Sequence, residues 1–123
     1  MKRKNNKLLK VIIRKINHPP KIKRFKTITI DDICQILGTP DVIFTPFDQG
    51  VYVASRKDAE QNGEKINCFA RCYSDGKWLI DTVYGDVIVG RFNHKTKKFE
   101  GLTDSQLSKY MLYESDIPMD EAV

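Results

Sequence analysis

The chain lacks any apolar run near the ~18 residues a membrane-crossing helix needs, so the sequence predicts no membrane-spanning helix. It has only three cysteines, Cys34, Cys68 and Cys72. An odd, sparse set argues against a disulfide framework and suits free thiols in a reducing compartment. Neither the Gly-x-Gly-x-x-Gly spacing nor a glycine-rich loop ending in Lys-Ser or Lys-Thr is present. The stretch GDVIVG (85–90) is therefore not a phosphate loop, and its glycines read as opening a strand and permitting a bend or close packing. Histidine is scarce too. His18 and His94 both fall in expected turns without a neighbouring nucleophile pattern, which disfavours a histidine-based hydrolase.

Acid is missing where base is abundant. Residues 1–26 hold eleven lysines and arginines and no aspartate or glutamate, whereas the remainder of the chain is net acidic. The net charge of +5 is thus a property of the N-terminal segment. Such an arm (Lys2, Arg3, Lys4, Lys7 and Lys10) could grip nucleic acid through counterion release, or serve as a solvated tail. MKRKNNK has the charge of a leader, but LLKVIIRKI after it carries lysine and arginine within its apolar part and no small-residue cleavage site follows. The expected location is the cytoplasm of a bacterial host cell.

At 123 residues, with 41% hydrophobic and 30% charged residues, the composition fits one globular domain. The pattern divides into a basic arm (1–7) expected to be disordered, a single domain (8–114) and an acidic tail (115–123). LLKVIIRKI reads as a strand broken by Pro19-Pro20, with 21–28 as a hairpin partner of unclear register. TIDDICQILG reads as a short helix, about 30–37. Thr29 caps it, Asp31 and Asp32 suit its positive end, Gly38 stops it, and Ile30, Ile33, Ile36 and Leu37 face the core. VIFTPF and VYVAS form a hairpin in which Pro46 implies an edge strand. Residues 56–65 are a polar loop, and 66–74, 77–84 and 85–93 are further strands. The Thr103-Asp-Ser-Gln106 capping box starts a second helix, about 104–114. The fold class is α+β: a mainly antiparallel sheet of five or six strands with two short helices packed on one side.

The stretch VYGDVIVGRFN, a short charged turn, and then EGLTDSQLSKY resembles the C-terminal half of the bacterial and phage family known as domain of unknown function 3846. There too a glycine-led strand ending in Val-Gly precedes a Leu-Thr-Asp helix start. ITIDDICQILG and GEKINCFAR extend the likeness more weakly upstream. Gly38-Thr39 replaces the family's Gly-Gly, and the basic arm and Pro-Pro are additions. The resemblance implies phages and mobile elements as the setting, and supplies no chemistry.

Cys68 and Cys72 share strand parity and could join Cys34 and His94 around zinc, but without a Cys-x-x-Cys pair the thiols read as buried and free, and neither metal nor cofactor is expected. Asp81 and Asp86 differ in parity and read as surface residues. What remains is a polar and aromatic constellation: Asn67, Arg71, Tyr73, Trp78, Tyr84, Arg91 and Phe92. Guanidinium forks match phosphate oxygens and aromatic faces stack on bases, so the set suits a nucleotide or single-stranded nucleic acid. The same rings would equally fill the core of a small sheet. The expected function is a non-enzymatic binding protein that antagonises an antiphage defence, of CRISPR-Cas or nucleotide-signalling type, by contacting a defence component or sequestering a nucleotide signal. The alternative is a small basic DNA- or RNA-binding regulator. A homo-oligomer is expected, because a small sheet encloses a nucleotide more easily between copies.

Overall fold

The computed structural model describes residues 8–48, 50–74 and 76–113, with the side chains of 47–48, 68–74, 77–81 and 112–113 outside that description. Six strands form one antiparallel sheet: β1 (Leu9–Arg14), β2 (Lys21–Phe25), β3 (Val42–Asp48), β4 (Val51–Arg56), β7 (Val87–Asn93) and β8 (Lys98–Glu100). A separate hairpin comprises β5 (Ile66–Ser74) and β6 (Lys77–Tyr84), and the helices are α1 (Ile30–Leu37) and α2 (Asp104–Tyr113). The α+β class with a mainly antiparallel sheet and two helices is therefore correct. No helix among the described residues is long and apolar enough to cross a membrane.

Strands run in the order β2-β1-β7-β4-β3. Arg91 pairs with Val51 of β4 on one side and Glu100 of β8 on the other, so β8 shares the β1 edge of β7. The chain then continues along β1, where Leu102 N donates to the Lys10 carbonyl at 2.8 Å. Gly101 makes this possible: a Cβ there would run into the backbone of Leu9 and Lys10. The β2 register, unreadable from sequence, sets Ile22 opposite Ile12 and Phe25 opposite Leu9. β3 is an edge strand carrying Pro46, as its proline implies.

Strand alternation builds two cores. Ile12, Val51, Val53, Val87 and Val89 face Leu107 and Tyr110 of α2 and Val83 of β6. Val11, Ala54 and Ile88 point the other way, toward Ile33 and Leu37 of α1. The helices therefore cover opposite faces of the sheet, which corrects the expectation of one shared side. The cause lies in β7: both Val87/Val89 and Ile88 are buried, and a strand apolar on both faces must be covered on both. Each fully buried valine or isoleucine contributes about 1.5–3 kcal/mol of hydrophobic stabilisation.

The helix ends follow their local chemistry. Thr29 and Asp32 exchange side-chain-to-backbone hydrogen bonds, and Gly38 ends α1 at φ 74° with its N–H on the Cys34 carbonyl. Thr103 and Gln106 repeat the reciprocal pair at the start of α2. Ile30 departs from expectation, being 54% exposed rather than in the core.

Candidate functional site

Beyond the end of α1, the same face of the sheet is lined by aromatic rings. Tyr52 lies between Val51 and Val53 in β4, so alternation turns it away from the α2 core. Its cross-strand partner is Gly90, which has no side chain to compete for that space. Phe92 and Phe99 stand directly opposite one another across β7 and β8, with ring centroids 5.1 Å apart. Phe44 of the edge strand approaches Phe99 at 5.7 Å, and Tyr52 meets Phe92 edge-to-face at 6.5 Å. His94 closes the set, 5.2 Å from Phe92. With Ile30 and Lys97 these rings line a groove of about 430 Å³.

The groove is predominantly apolar and its polar groups are held in place. The Tyr52 hydroxyl and His94 Nε2 are hydrogen-bonded at 2.6 Å. The turn between β7 and β8 is organised by Asn93, whose Oδ1 accepts from the amides of Lys95 and Thr96 at 2.9 and 3.2 Å. Lys97 adopts a left-handed φ of 61°, with its N–H on the Asn93 carbonyl at 2.7 Å. This turn carries His94, Lys95, Lys97 and Lys98 and no acid. The nearby carboxylate of Glu100 is engaged by Arg91 at 3.0 Å and by Asn93 Nδ2 at 3.0 Å. A hydrogen-bonded basic turn thus borders an aromatic surface on which Phe44 remains 37% exposed.

Of the residues expected to form a site, Phe92 is the one among the described residues that lines the groove. Arg91 pairs with Glu100 and donates its Nε to the Gly101 carbonyl at 2.8 Å, which ties the end of β8 to β7. Asn67 donates its Nδ2 to the Arg14 carbonyl at 2.9 Å and to the Gly85 carbonyl at 2.8 Å, pinning the β5–β6 hairpin to the sheet. Tyr84 is half-buried near that junction, opposite Ile66. Tyr73 and Trp78 are cross-strand neighbours on the hairpin and Arg71 pairs with Ile80, but the side chains of all three lie outside the described residues. So do Lys2, Arg3, Lys4 and Lys7 of the arm, the tail 115–123, and the side chains of Cys68, Cys72 and Asp81. Lys10 belongs to β1. Asp86 corrects its reading as a surface residue: it is half-buried and its Oδ1 accepts from Ile16 N at 2.9 Å. No cluster of potential metal ligands occurs among the described residues.

Sequence reasoning missed Phe44, Tyr52, His94, Lys97 and Phe99. A signal existed. Reading the lysine-rich turn as a hairpin loop would have placed Phe92 opposite Phe99. No family model, curated protein or solved structure matches the chain.

Proposed function

We propose that this protein is a non-enzymatic binding protein for a nucleotide, with the base stacked in the aromatic groove and the phosphates on the basic 93–98 turn. The observation that carries this reading is the contiguous surface of Phe44, Phe92, Phe99, Tyr52 and His94 bordered by Lys97. Every base has a π-face, and stacking on an aromatic side chain contributes about 1–3 kcal/mol per base. Binding rather than turnover is favoured because the Tyr52 hydroxyl and His94 Nε2 are engaged with one another. The resemblance of 84–107 to a phage-associated family supports the biological setting, in which capture of a nucleotide signal in the bacterial cytoplasm antagonises an antiphage defence.

A symmetric homo-oligomer belongs to the same proposal. β3 ends the six-stranded sheet and presents Ile43 at 42% exposure beside Phe44, and a sheet edge with exposed apolar side chains invites a second copy. The alternative, a DNA- or RNA-binding regulator, is supported by the acid-free basic segment 1–26.

Calorimetric titration with a panel of mono-, di- and cyclic nucleotides at low salt, alongside a short single-stranded oligonucleotide, tests the reading. Saturable nucleotide binding weakened by Phe44→Ala is the expected result. Binding to the oligonucleotide alone, lost on deletion of residues 1–7, favours the regulator instead. Absence of binding across the panel contradicts both.

A further inference from the structure

A second feature lies at the far end of β1. Alternation along the strand places Arg14 on the α2 face in line with Ile12, and only 8% of its surface is exposed. Its guanidinium forms no hydrogen bond or ion pair among the described residues, and none of its nitrogens is sealed from solvent. Arg14 is among the residues that line a cavity of about 450 Å³. Lys15, His18 and the Pro19-Pro20 turn form one wall, and Lys65 and Asn67 the other. The two walls are joined by the Asn67 hydrogen bond to the Arg14 carbonyl. His18 is oriented by donating Nδ1 to the Ile16 carbonyl at 2.9 Å, and Nε2 is left for another partner. Among the described residues no aspartate or glutamate lines the cavity, and Asp86 is engaged with Ile16 N.

A largely buried cation with no counterion among the described residues is unfavourable, and an entering anion relieves that cost. We propose that this cavity binds the terminal phosphate of a small phosphorylated molecule, at a site separate from the aromatic groove. Arg14, Lys15 and Lys65 supply three positive charges, which favours a phosphate dianion over a monocarboxylate. A planar guanidinium fork matches two phosphate oxygens at once. The burial of Arg14 selects a phosphate at the end of a molecule. A phosphate within a polymer brings chain on both sides against the exposed Lys15 and Lys65 and reaches a side chain this buried less readily than a terminal one. The cavity volume lies in the range of small-molecule sites.

Calorimetry and thermal melting of the full chain with pyrophosphate and ribose 5-phosphate test this. Neither probe has a base to stack in the groove. Acetate at matched ionic strength and an oligonucleotide with hydroxyls at both ends are the controls. Both phosphates should bind saturably and raise Tm, while the controls neither bind there nor compete. Arg14→Met should weaken pyrophosphate binding by at least about tenfold, the scale of one lost charge-assisted contact. Without ligand this variant should melt no lower than the wild type, because it removes a largely buried charge that has no partner among the described residues. Lys65→Met should weaken binding severalfold, and Phe44→Ala should leave it unchanged. The proposal is overturned by absence of saturable binding to the wild type, by undiminished binding to Arg14→Met, or by competition from the hydroxyl-ended oligonucleotide. A marked fall in the melting temperature of ligand-free Arg14→Met also overturns it, since Arg14 would then be structural.

Discussion

Asn67 on β5 and Arg14 on β1 lie 53 residues apart in sequence, yet the Asn67 amide donates to the Arg14 carbonyl at 2.9 Å and, from the same nitrogen, to the Gly85 carbonyl at 2.8 Å. One side chain therefore joins β1, the β5–β6 hairpin and the turn into β7. Asn67→Ala strips two partly buried carbonyls of their donor and should destabilise the fold by about 2–4 kcal/mol. Asn67→Asp should be worse, because it sets an acceptor against two acceptors. Urea unfolding of both variants checks this, and a wild-type midpoint would show that the junction is held elsewhere.

Arg91 is predicted to be structural. Its ion pair with Glu100 is about one-third exposed at each partner and contributes little, so most of the effect comes from the bond to the Gly101 carbonyl. Arg91→Ala should destabilise by about 1–2 kcal/mol. At roughly 5 °C per kcal/mol for a domain of this size, that is a clear fall in melting temperature. An Arg91→Ala variant that melts like the wild type would return this residue to consideration as a ligand contact.

Two glycines should respond differently to alanine. A Cβ at Gly101 meets the backbone of Leu9 and Lys10, which cannot move aside without shifting β1. A Cβ at Gly63 meets open space, and its φ of 74° imposes only local strain, about 1 kcal/mol. Gly101→Ala should therefore be much the more destabilising in thermal melts. Equal effects would contradict the close approach of the β8–α2 connection to β1.

What was legible in the sequence was what local chemistry decides. Thr29, Asp32 and Gly38 delimit α1 because a cap and a left-handed stop act within a few residues. Thr103 and Gln106 do the same for α2. Proline placed β3 at an edge. The side of the sheet each helix covers was not legible, because it depends on β7 being buried on both faces. β8 escaped notice because three residues carry no period. The groove escaped for a different reason: Phe44 and Phe99 are brought together by the order of strands in the sheet, and each alone looks like core. Arginine and asparagine drew attention as ligand contacts, whereas Arg91 and Asn67 satisfy backbone carbonyls, which single-chain patterning does not reveal.

Oligomeric state offers an independent check. Light scattering of the wild type should report more than one copy, and Ile43→Lys on the exposed edge should shift the population toward monomer by placing charge on the pairing strand. A wild-type monomer at high concentration would remove the edge-pairing reading and leave the groove to act within one chain.

Aromatic proton and carbon resonances followed during nucleotide titration test the proposed stacking of a base in the aromatic groove most directly. Ring-current shifts should concentrate on Phe44, Tyr52, Phe92, His94 and Phe99, saturate together, and be lost in Phe44→Ala without unfolding. Shifts confined to residues outside the groove, or none at millimolar nucleotide, would contradict the account.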